Sequence, residues 1–171
     1  MSVSSSLSSE GLTEPAEMTE PEDEDNEDED GSDDTVIRRL MEEGDTITYA
    51  FRCARVEGLD AYEGLMLLGR EHFYLIDGFT LLSTREIRDI ESIPAAQREP
   101  VLPSVIVGKR RRQKFHYDEI REVLRRRYLL QQLGLEIFCT NGRTNFLAFP
   151  RDISNRVMSR CSTHSSWELQ G

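Results

Sequence analysis

The sequence predicts a mainly β fold, in which antiparallel strands form a sandwich or barrel and a C-terminal α-helix covers one end. Three observations support this fold class. A hairpin pattern occupies residues 133–149, alternating apolar residues upstream indicate further strands, and a proline at position 150 precedes apolar residues at helical spacing. Together these patterns indicate one β domain with a closing helix.

The hairpin is the clearest element. Along 133–140 every second residue is apolar, so one face of this strand is suited to a core. The residues of that face are Leu133, Leu135, Ile137 and Cys139. Asn141 and Gly142 follow, and both residue types tolerate the positive φ that two-residue primed turns require. The chain is therefore predicted to reverse at 141–142 and to pair residues 144–149 antiparallel to the first strand.

The acidic charge is concentrated at the N-terminus. Residues 1–35 contain 14 Asp or Glu and no Lys or Arg, while residues 36–171 contain 21 basic and 18 acidic residues, so the net charge of −11 divides into −14 and +3. Such an acidic segment, with few large apolar residues, cannot offset the entropy cost of ordering. We predict a disordered acidic tail at 1–35, a domain at 36–161 and a second disordered tail at 162–171. For the acidic tail, a solvated linker is favoured over a partner-binding or cation-binding role.

The composition and motifs predict an intracellular protein without catalytic, metal or cofactor sites. No apolar stretch approaches the ~20 residues of a membrane-spanning helix, and the N-terminus has no signal region. Cys53, Cys139 and Cys161 are too dispersed for a zinc site or a disulfide framework and are predicted to be reduced, mostly buried thiols. The histidines are scattered, and the sequence has no nucleophile-elbow, phosphate-loop or HExxH motif. We therefore expect no enzyme activity, no metal and no cofactor.

Three strands are predicted in the first half of the domain. They occupy residues 46–56, 64–68 and 72–76. The first strand has one apolar face, made of Ile47, Tyr49, Phe51 and Cys53, and a solvent-facing side opposite to it. A short amphipathic turn at 37–41 precedes this strand, and Asp77-Gly78 is a turn signal after the third. Short strands joined by short turns indicate an antiparallel meander.

The middle of the chain is less regular. Residues 79–82 are strand-like, and residues 84–90 suit either one helical turn or an exposed strand. Residues 92–114 contain three prolines and end in a basic run, which predicts a long, mobile loop. Residues 115–131 have apolar side chains at helical spacing, so periodicity alone favours a helix there. After Pro150, the predicted helix has an apolar stripe formed by Ile153, Val157, Met158 and Cys161.

Several segments carry a resemblance to a known family. The sequence RRYLLQ at 126–131 is followed by LEIF at 135–138 and FLAF at 146–149, and the upstream segments 49–56, 71–79 and 84–91 extend the match. These segments resemble the PH-like domain that precedes the BEACH domain in BEACH-family proteins, in particular the members that also carry WD repeats and a FYVE finger. The resemblance covers about residues 38–160. It implies a PH-like fold and a strand, in place of a helix, at 122–130.

The resemblance also implies a function. In the family the PH-like domain packs against the BEACH domain of the same full-length chain, as a scaffold in large proteins of membrane trafficking or selective autophagy. It implies a cytoplasmic protein, with endosomal or autophagic membranes as the place of any peripheral attachment. The candidate docking residues are Arg125, Arg126, Arg127 and Tyr128, because Arg and Tyr are good interface anchors. An equally weighted alternative is an exposed strand whose arginines are balanced by Glu119, Glu122 and Glu136.

Lipid binding is the main alternative function. Inositol phosphates need several convergent cations, but the first strand and its loop carry Glu57, Asp60 and Glu63 beside only two arginines, which disfavours such a site. A second basic cluster is predicted to be a solvated loop first and an anionic-lipid contact second. It consists of Lys109, Arg110, Arg111, Arg112 and Lys114. It is also compatible with a nuclear import patch. Nucleic-acid binding is disfavoured, since the domain is only +3 and aromatic residues are not interleaved with the cluster.

Overall fold

The computed structural model describes residues 33–108, 111–161 and 169–170. Its elements are α1 (Asp33–Leu40), β1 (Tyr49–Glu57), β2 (Asp60–Leu68), β3 (His72–Asp77), β4 (Phe79–Leu81), β5 (Ile87–Asp89), β6 (Arg112–His116), β7 (Ile120–Tyr128), β8 (Gln131–Cys139), β9 (Thr144–Ala148), α2 (Arg151–Cys161) and β10 (Leu169–Gln170). Eight strands form one sheet in the order β10-β7-β8-β9-β1-β2-β3-β6, and β4 and β5 form a second, two-stranded sheet. The predicted mainly antiparallel β architecture with a C-terminal helix is confirmed. Neither helix in these ranges is long and apolar enough to cross a bilayer.

The β1–β2 hairpin is longer than predicted. Glu57 pairs with Asp60 across the two-residue turn Gly58-Leu59, and the pairing continues to Tyr49 and Leu68. Gly58 has φ of 62°, which a glycine adopts at the first position of such a turn without steric cost. Residues 60–62, predicted as a connection, therefore belong to β2.

The main sheet buries side chains on both faces. On one face the core includes Phe51, Met66, Phe73, Leu147 and Val157. On the other face of β1–β3, side chains of the strands pack against α1 and β4; this second cluster includes Leu65, Leu67, Tyr74, Ile76, Ile37 and Phe79.

This second cluster corrects the prediction for the first strand. Ala50 lies on the side predicted to face solvent, but it packs in the second cluster because α1 and the β4–β5 sheet cover that side. Ile47, predicted to share a face with Tyr49 and Phe51, also packs there, since it precedes the start of β1 and is not bound by the strand's alternation.

The segment between β4 and β6 is more structured than a simple loop. Residues 87–89 form a strand, which settles the alternatives for 84–90, and a 3-10 helix at Ile90–Ser92 follows. Val101 and Leu102 are buried, and the backbone of Ile106 bonds to Ala61 and Glu63. The predicted loop 92–114 also ends early, because Arg112–His116 pair with β3 as strand β6. Its mobility stays a prediction.

Residues 120–128 form strand β7, as the family resemblance implied, and not the helix that periodicity alone favoured. It pairs antiparallel with β8 from Ile120 to Tyr128, and a register shift lies between Ile120 and Glu122, so Arg121 is an extra, bulged residue. Because of this bulge, Ile120 and Val123 both face the main core although they are three positions apart. The bulge therefore gives this strand a spacing of apolar residues that resembles that of a helix.

The β8–β9 hairpin has the predicted strands but a different turn. Of the predicted core face, Leu135, Ile137 and Cys139 lie in the main core, whereas Leu133 is half-buried and is not part of that cluster. The hairpin loop contains four residues, 140–143, and the Cys139 N–H donates to the Arg143 carbonyl at 2.8 Å. Of Asn141 and Gly142, Gly142 alone has positive φ, at 82°. The Asn141 side chain instead accepts the Arg143 N–H at 2.9 Å. The two-residue primed turn was therefore wrong, and a longer turn with glycine at its left-handed position takes its place.

The closing helix and two of the thiols agree with the predictions. The Pro150 carbonyl accepts the N–H groups of Ile153 and Ser154, and Ile153 and Val157 pack on the main core. Cys53 and Cys139 are buried and free, and burial raises the pKa of both thiols. The side chains of Met158 and Cys161 lie outside the described residues. Of the predicted tails at 1–35 and 162–171, the structure describes residues 33–35, which belong to α1, and 169–170, which form β10. The disorder of the other tail residues stays a prediction.

Asp45 ties the segment before β1 to the turn between β2 and β3. Its carboxylate accepts the Arg70 N–H at 2.6 Å, the Thr46 N–H at 2.9 Å and the Tyr74 hydroxyl at 2.8 Å. Burial acts to raise the pKa of Asp45, but these hydrogen bonds outweigh it and hold the pKa below its usual value. Burial, together with the hydrogen bond to Asp45, raises the pKa of Tyr74 to about 12.

We expect Asp45→Ala to lower the free energy of unfolding by about 1–3 kcal/mol, because the buried Tyr74 hydroxyl and the backbone donors lose a charged acceptor. The lowered pKa means that this contribution is present above the ordinary Asp pKa of about 3.8 and is lost as pH falls through the folded-state pKa. Urea unfolding from pH 7 to pH 3 measures both effects. Glu43→Gln, at an exposed neighbour, is the control, and equal pH profiles for Asp45→Ala and the wild type would contradict the assignment.

Candidate interaction surface

The four predicted docking residues lie at the end of β7 but on two faces of the sheet. Arg125 pairs with Leu135 and Arg126 with Gly134, so Arg125 shares the face of the main core and Arg126 projects from the opposite, outer face. On that outer face the Arg126 Nε donates to the Glu136 carboxylate. Of the three predicted counter-charges, Glu136 is the one that an arginine of this run uses; Glu119 instead accepts the His116 N–H.

Tyr128 is part of the packing of the outer face. It is half-buried and lies against a small cluster made of Ala54, Ala61, Val101, Leu102 and Ala148. Its ring meets Phe146 edge-on, with ring centroids 6.2 Å apart. Tyr128 therefore packs as part of the fold and leaves only part of its side chain exposed.

All three arginines of the run are exposed, and Arg125 and Arg127 differ from Arg126 in their ion contacts. Arg125 lies on the face opposite Arg126, and Arg127 lies at a second register shift, between Arg126 and Tyr128, at the end of the strand. Within residues 33–108 and 111–161 neither forms an ion pair. The structure thus separates the predicted set into two available cations and two residues engaged in the fold.

Two exposed leucines beside this pair were missed by the sequence analysis. Tyr128 pairs with Gln131, so Leu129 and Leu130 form a two-residue turn, and not the end of the predicted strand 122–130. Their side chains are 66% and 92% exposed. Both have positive φ, 47° and 64°, a conformation that Asn and Gly favour and that strains a leucine. The sequence signal for this turn was the pair of apolar residues, Leu129 and Leu130, that lies between two strands inside the RRYLLQ segment.

The backbone edge of β7 is partly open. In the described part of the chain, β10 covers this edge only at Val123 and Leu124, through pairing with Leu169 and Gln170. The remaining edge carries Arg125 and Arg127. Charged side chains on an edge strand also deter pairing with other chains, so a protective role for the arginines competes with docking.

The second basic cluster is divided by the fold. Lys109 and Arg110 lie outside the described residues. Arg112 and Lys114 lie on β6, and the Lys114 ammonium contacts the Glu42 carboxylate, while Arg111 is 3.7 Å from Glu57. Two of the three described cations therefore have acidic neighbours, which reduces the charge that a lipid surface would meet.

The region equivalent to a phosphoinositide cradle is also engaged internally. Arg52 donates to Glu63 at 3.0 Å, and the buried Arg55 bonds both oxygens of Asp77. Neither cation is available to converge on a phosphate. Among the described residues there is no group of three or more His, Cys, Asp or Glu side chains placed to hold a metal ion.

Comparison with known proteins decides the family. Residues 53–161 match the family described as "PH domain associated with Beige/BEACH". The chain belongs to this family. The domain is 36% identical over 135 residues to "Beige protein homolog 1" of Schizosaccharomyces pombe and 29% identical over 137 residues to human "WD repeat- and FYVE domain-containing protein 4".

The PH_BEACH match confirms the predicted family and the PH-like fold class. The alignments cover 71% and 77% of this chain but only 5% and 4% of the two relatives, so the chain spans a small part of their length. The crystal structure of the C-terminal domain of an unknown protein from Leishmania infantum superposes with a TM-score of 0.51 at 16% identity, covering 76% of this chain and 94% of that one. That likeness supports the fold alone.

Proposed function

We propose that this PH_BEACH domain is a non-catalytic scaffold module that docks against a BEACH domain of the same full-length protein, in the cytoplasmic machinery of membrane trafficking or selective autophagy. The observation that carries the proposal is the exposed Leu129-Leu130 turn beside Arg125 and Arg127, two exposed cations without an ion pair to any residue that the structure describes. Family membership supports the choice of partner. The trafficking role rests on the resemblance.

The geometry of the turn favours a protein contact. Interfaces combine a few apolar anchors, which bury in pockets of the partner, with cations at their margin. Leu129 and Leu130 provide the apolar anchors, and Arg125 and Arg127 provide the neighbouring charge. Positive φ at a non-glycine residue costs of order 1 kcal/mol or more, and such strain is concentrated at functional sites. A pair of leucines held in this conformation and left exposed has no role in the core of the domain.

Charge reversal tests the docking edge. We expect the double variant Arg125→Glu, Arg127→Glu to weaken binding to a separately expressed BEACH domain by about 30-fold or more, which corresponds to about 2 kcal/mol, without loss of folding. Titration calorimetry measures the affinity, and circular dichroism measures the fold. The matched control is Arg121→Glu, an exposed arginine at the other end of the same strand. Unchanged affinity in the double variant would exclude this edge.

Replacing Leu129-Leu130 by Asn-Gly separates the fold from docking. We expect the variant to be more stable than the wild type, by about 1–2 kcal/mol, because Asn-Gly suits the left-handed turn. We also expect it to lose BEACH binding, because the apolar anchors are gone. Urea unfolding and calorimetry on the same samples measure the two effects. A variant that gains stability and keeps full affinity would show that the leucines are not an anchor.

Anionic-lipid contact through residues 109–114 is the second candidate. The contacts of Lys114 with Glu42 and of Arg111 with Glu57 make binding to anionic lipid less favourable. Co-sedimentation with phosphatidylserine vesicles at two salt concentrations tests it, since lipid contact by exposed cations is lost as salt rises. Salt-sensitive vesicle binding without BEACH binding would transfer the function to the membrane surface.

A further inference from the structure

A groove lies along β1, which β8 and β9 separate from β7 in the main sheet. Its volume is about 1120 Å³. It is bordered by consecutive residues of β1 and its approach, by the β4–β5 sheet, by the segment 93–99 and by single turns of α1 and α2. This volume exceeds the ~300–1,000 Å³ typical of small-molecule sites, which favours a longer ligand.

One wall of the groove is a strand edge that no other strand in the described part of the chain covers. The two-residue turn pairs Glu57 with Asp60, so alternate residues of β1 direct their backbone groups to β2 and the residues between them, Ala50 and Arg52, direct theirs to the other side. On that side β9 pairs with β1 only at Ala54, Arg55 and Val56.

The pairing stops for a physical reason. The next residue of β9 in register with Arg52 is Pro150, which has no N–H and begins α2. No other hydrogen bond reaches the backbone of Ala50 or Arg52 from the described residues. The Arg52 Nε, which is buried, has no acceptor there either.

The groove is positively charged. Its lining contains five arginines, at 38, 52, 85, 98 and 156, and two glutamates, at 63 and 99. Arg98 donates to the carbonyls of Ile93 and Glu91, which hold the side chain but do not neutralise it. Arg85 and Arg156 are exposed at the rim and form no ion pair within residues 33–108 and 111–161. Between these cations the lining is apolar, with Leu81, Ile87 and Ile153 among its members.

We infer that this groove binds an extended peptide segment of a partner protein, with acidic and apolar side chains in alternation, which adds to β1 as a strand beside Ala50 and Arg52. Strand addition would satisfy the N–H and C=O groups of Ala50 and Arg52, and acidic and apolar side chains of the ligand match the arginines and the apolar residues that together line the groove. The site lies apart from the proposed BEACH-docking edge and stands or fails independently of it.

The open edge is tested first in the free protein. We expect the amides of Ala50 and Arg52 to exchange with deuterium at least about tenfold faster than those of Phe51 and Cys53, which bond to β2 on the same strand. Residue-resolved NMR exchange on the full chain measures the four rates. Equal protection of all four amides would show that the edge is already covered and would overturn the inference.

The ligand is tested with random twelve-residue peptides displayed on phage, selected on the full chain and counter-selected on the double variant Arg85→Glu, Arg156→Glu. We expect selected peptides to alternate acidic and apolar residues, to protect the Ala50 and Arg52 amides, and to bind the double variant at least about tenfold more weakly. The control Arg125→Glu, Arg127→Glu should retain peptide binding. Selection of no such peptides, or peptides that bind the control weakly and the Arg85/Arg156 variant fully, would overturn the inference.

Discussion

Replacing Asp77 with Ala is expected to lower the free energy of unfolding by about 3–5 kcal/mol, because it leaves the buried guanidinium of Arg55 without its partner. Asp77 and Arg55 are 4% and 5% exposed, and Nε and Nη2 of Arg55 reach the Asp77 carboxylate at 2.5–3.2 Å. A loss of this size is a large fraction of the stability of a typical domain. Urea unfolding, followed by far-ultraviolet circular dichroism, measures this loss of stability.

Two further variants separate the charge from the packing. Glu57→Ala removes an exposed second partner of the same arginine, which lies at 2.8 Å, and is expected to cost less than about 1 kcal/mol. The double replacement Arg55→Met, Asp77→Leu removes both charges and is expected to recover most of the loss, since apolar residues often replace a buried ion pair at little cost. A loss below about 1 kcal/mol for Asp77→Ala would show that water reaches Arg55.

Replacing Gly64 with Ala is expected to cost about 3 kcal/mol, because the added methyl group meets rigid backbone. A Cβ at position 64 would lie 2.2 Å from the Ile76 carbonyl oxygen and 2.9 Å from the Asp77 Cα. Strands β2 and β3 pair at this point, so relief requires separating them. Costs of overpacking reach or exceed this value when the neighbours cannot move.

Gly134→Ala is the matched control for this prediction. Its Cβ would meet the ring of Phe146 at 2.5 Å, and that side chain is half-buried and able to turn aside. We expect a smaller loss, about 1–2 kcal/mol. Urea midpoints of the two variants, at equal slope, give the comparison; equal losses would mean that the β2–β3 backbone yields as readily as a side chain.

Short-range patterns predicted much of this fold. Alternation identified the core faces of β1 and β8, and Pro150 with its apolar stripe identified α2. Periodicity failed at β7, because the bulged Arg121 changes which residues share a face, and only the RRYLLQ resemblance indicated a strand there. The predictions of a two-residue turn at 141–142 and of a solvent-facing side of β1 were wrong for a similar reason. The Thr140 N–H donates to the Glu119 carbonyl, and α1 packs on that side of β1, so both contacts come from elsewhere in the chain.

The candidate site was predicted less completely than the fold. The sequence located a basic run at 125–127, but pairing with β8 places its members on opposite faces and joins Arg126 to Glu136. The charge of the basic cluster at 111–114 is likewise offset by acidic residues that are distant in the sequence, such as Glu42, which is 72 positions from Lys114. The order of charges along the sequence does not predict which of these residues form ion pairs.

By itself, the sequence determined the antiparallel strands, the C-terminal helix and the concentration of acidic charge before position 36, because composition and periods of two or 3.6 residues are local properties. The family was predicted from the resemblance of whole segments and is shown by the match over residues 53–161. Tertiary structure alone decided that Leu129 and Leu130 are exposed in a strained turn and that Arg55 is buried against Asp77. It also decided that β9, which pairs with β1 at Ala54–Val56, does not extend to Ala50 and Arg52 beside the groove. These features depend on register, bulges and long-range pairing, and each of them arises when distant segments meet.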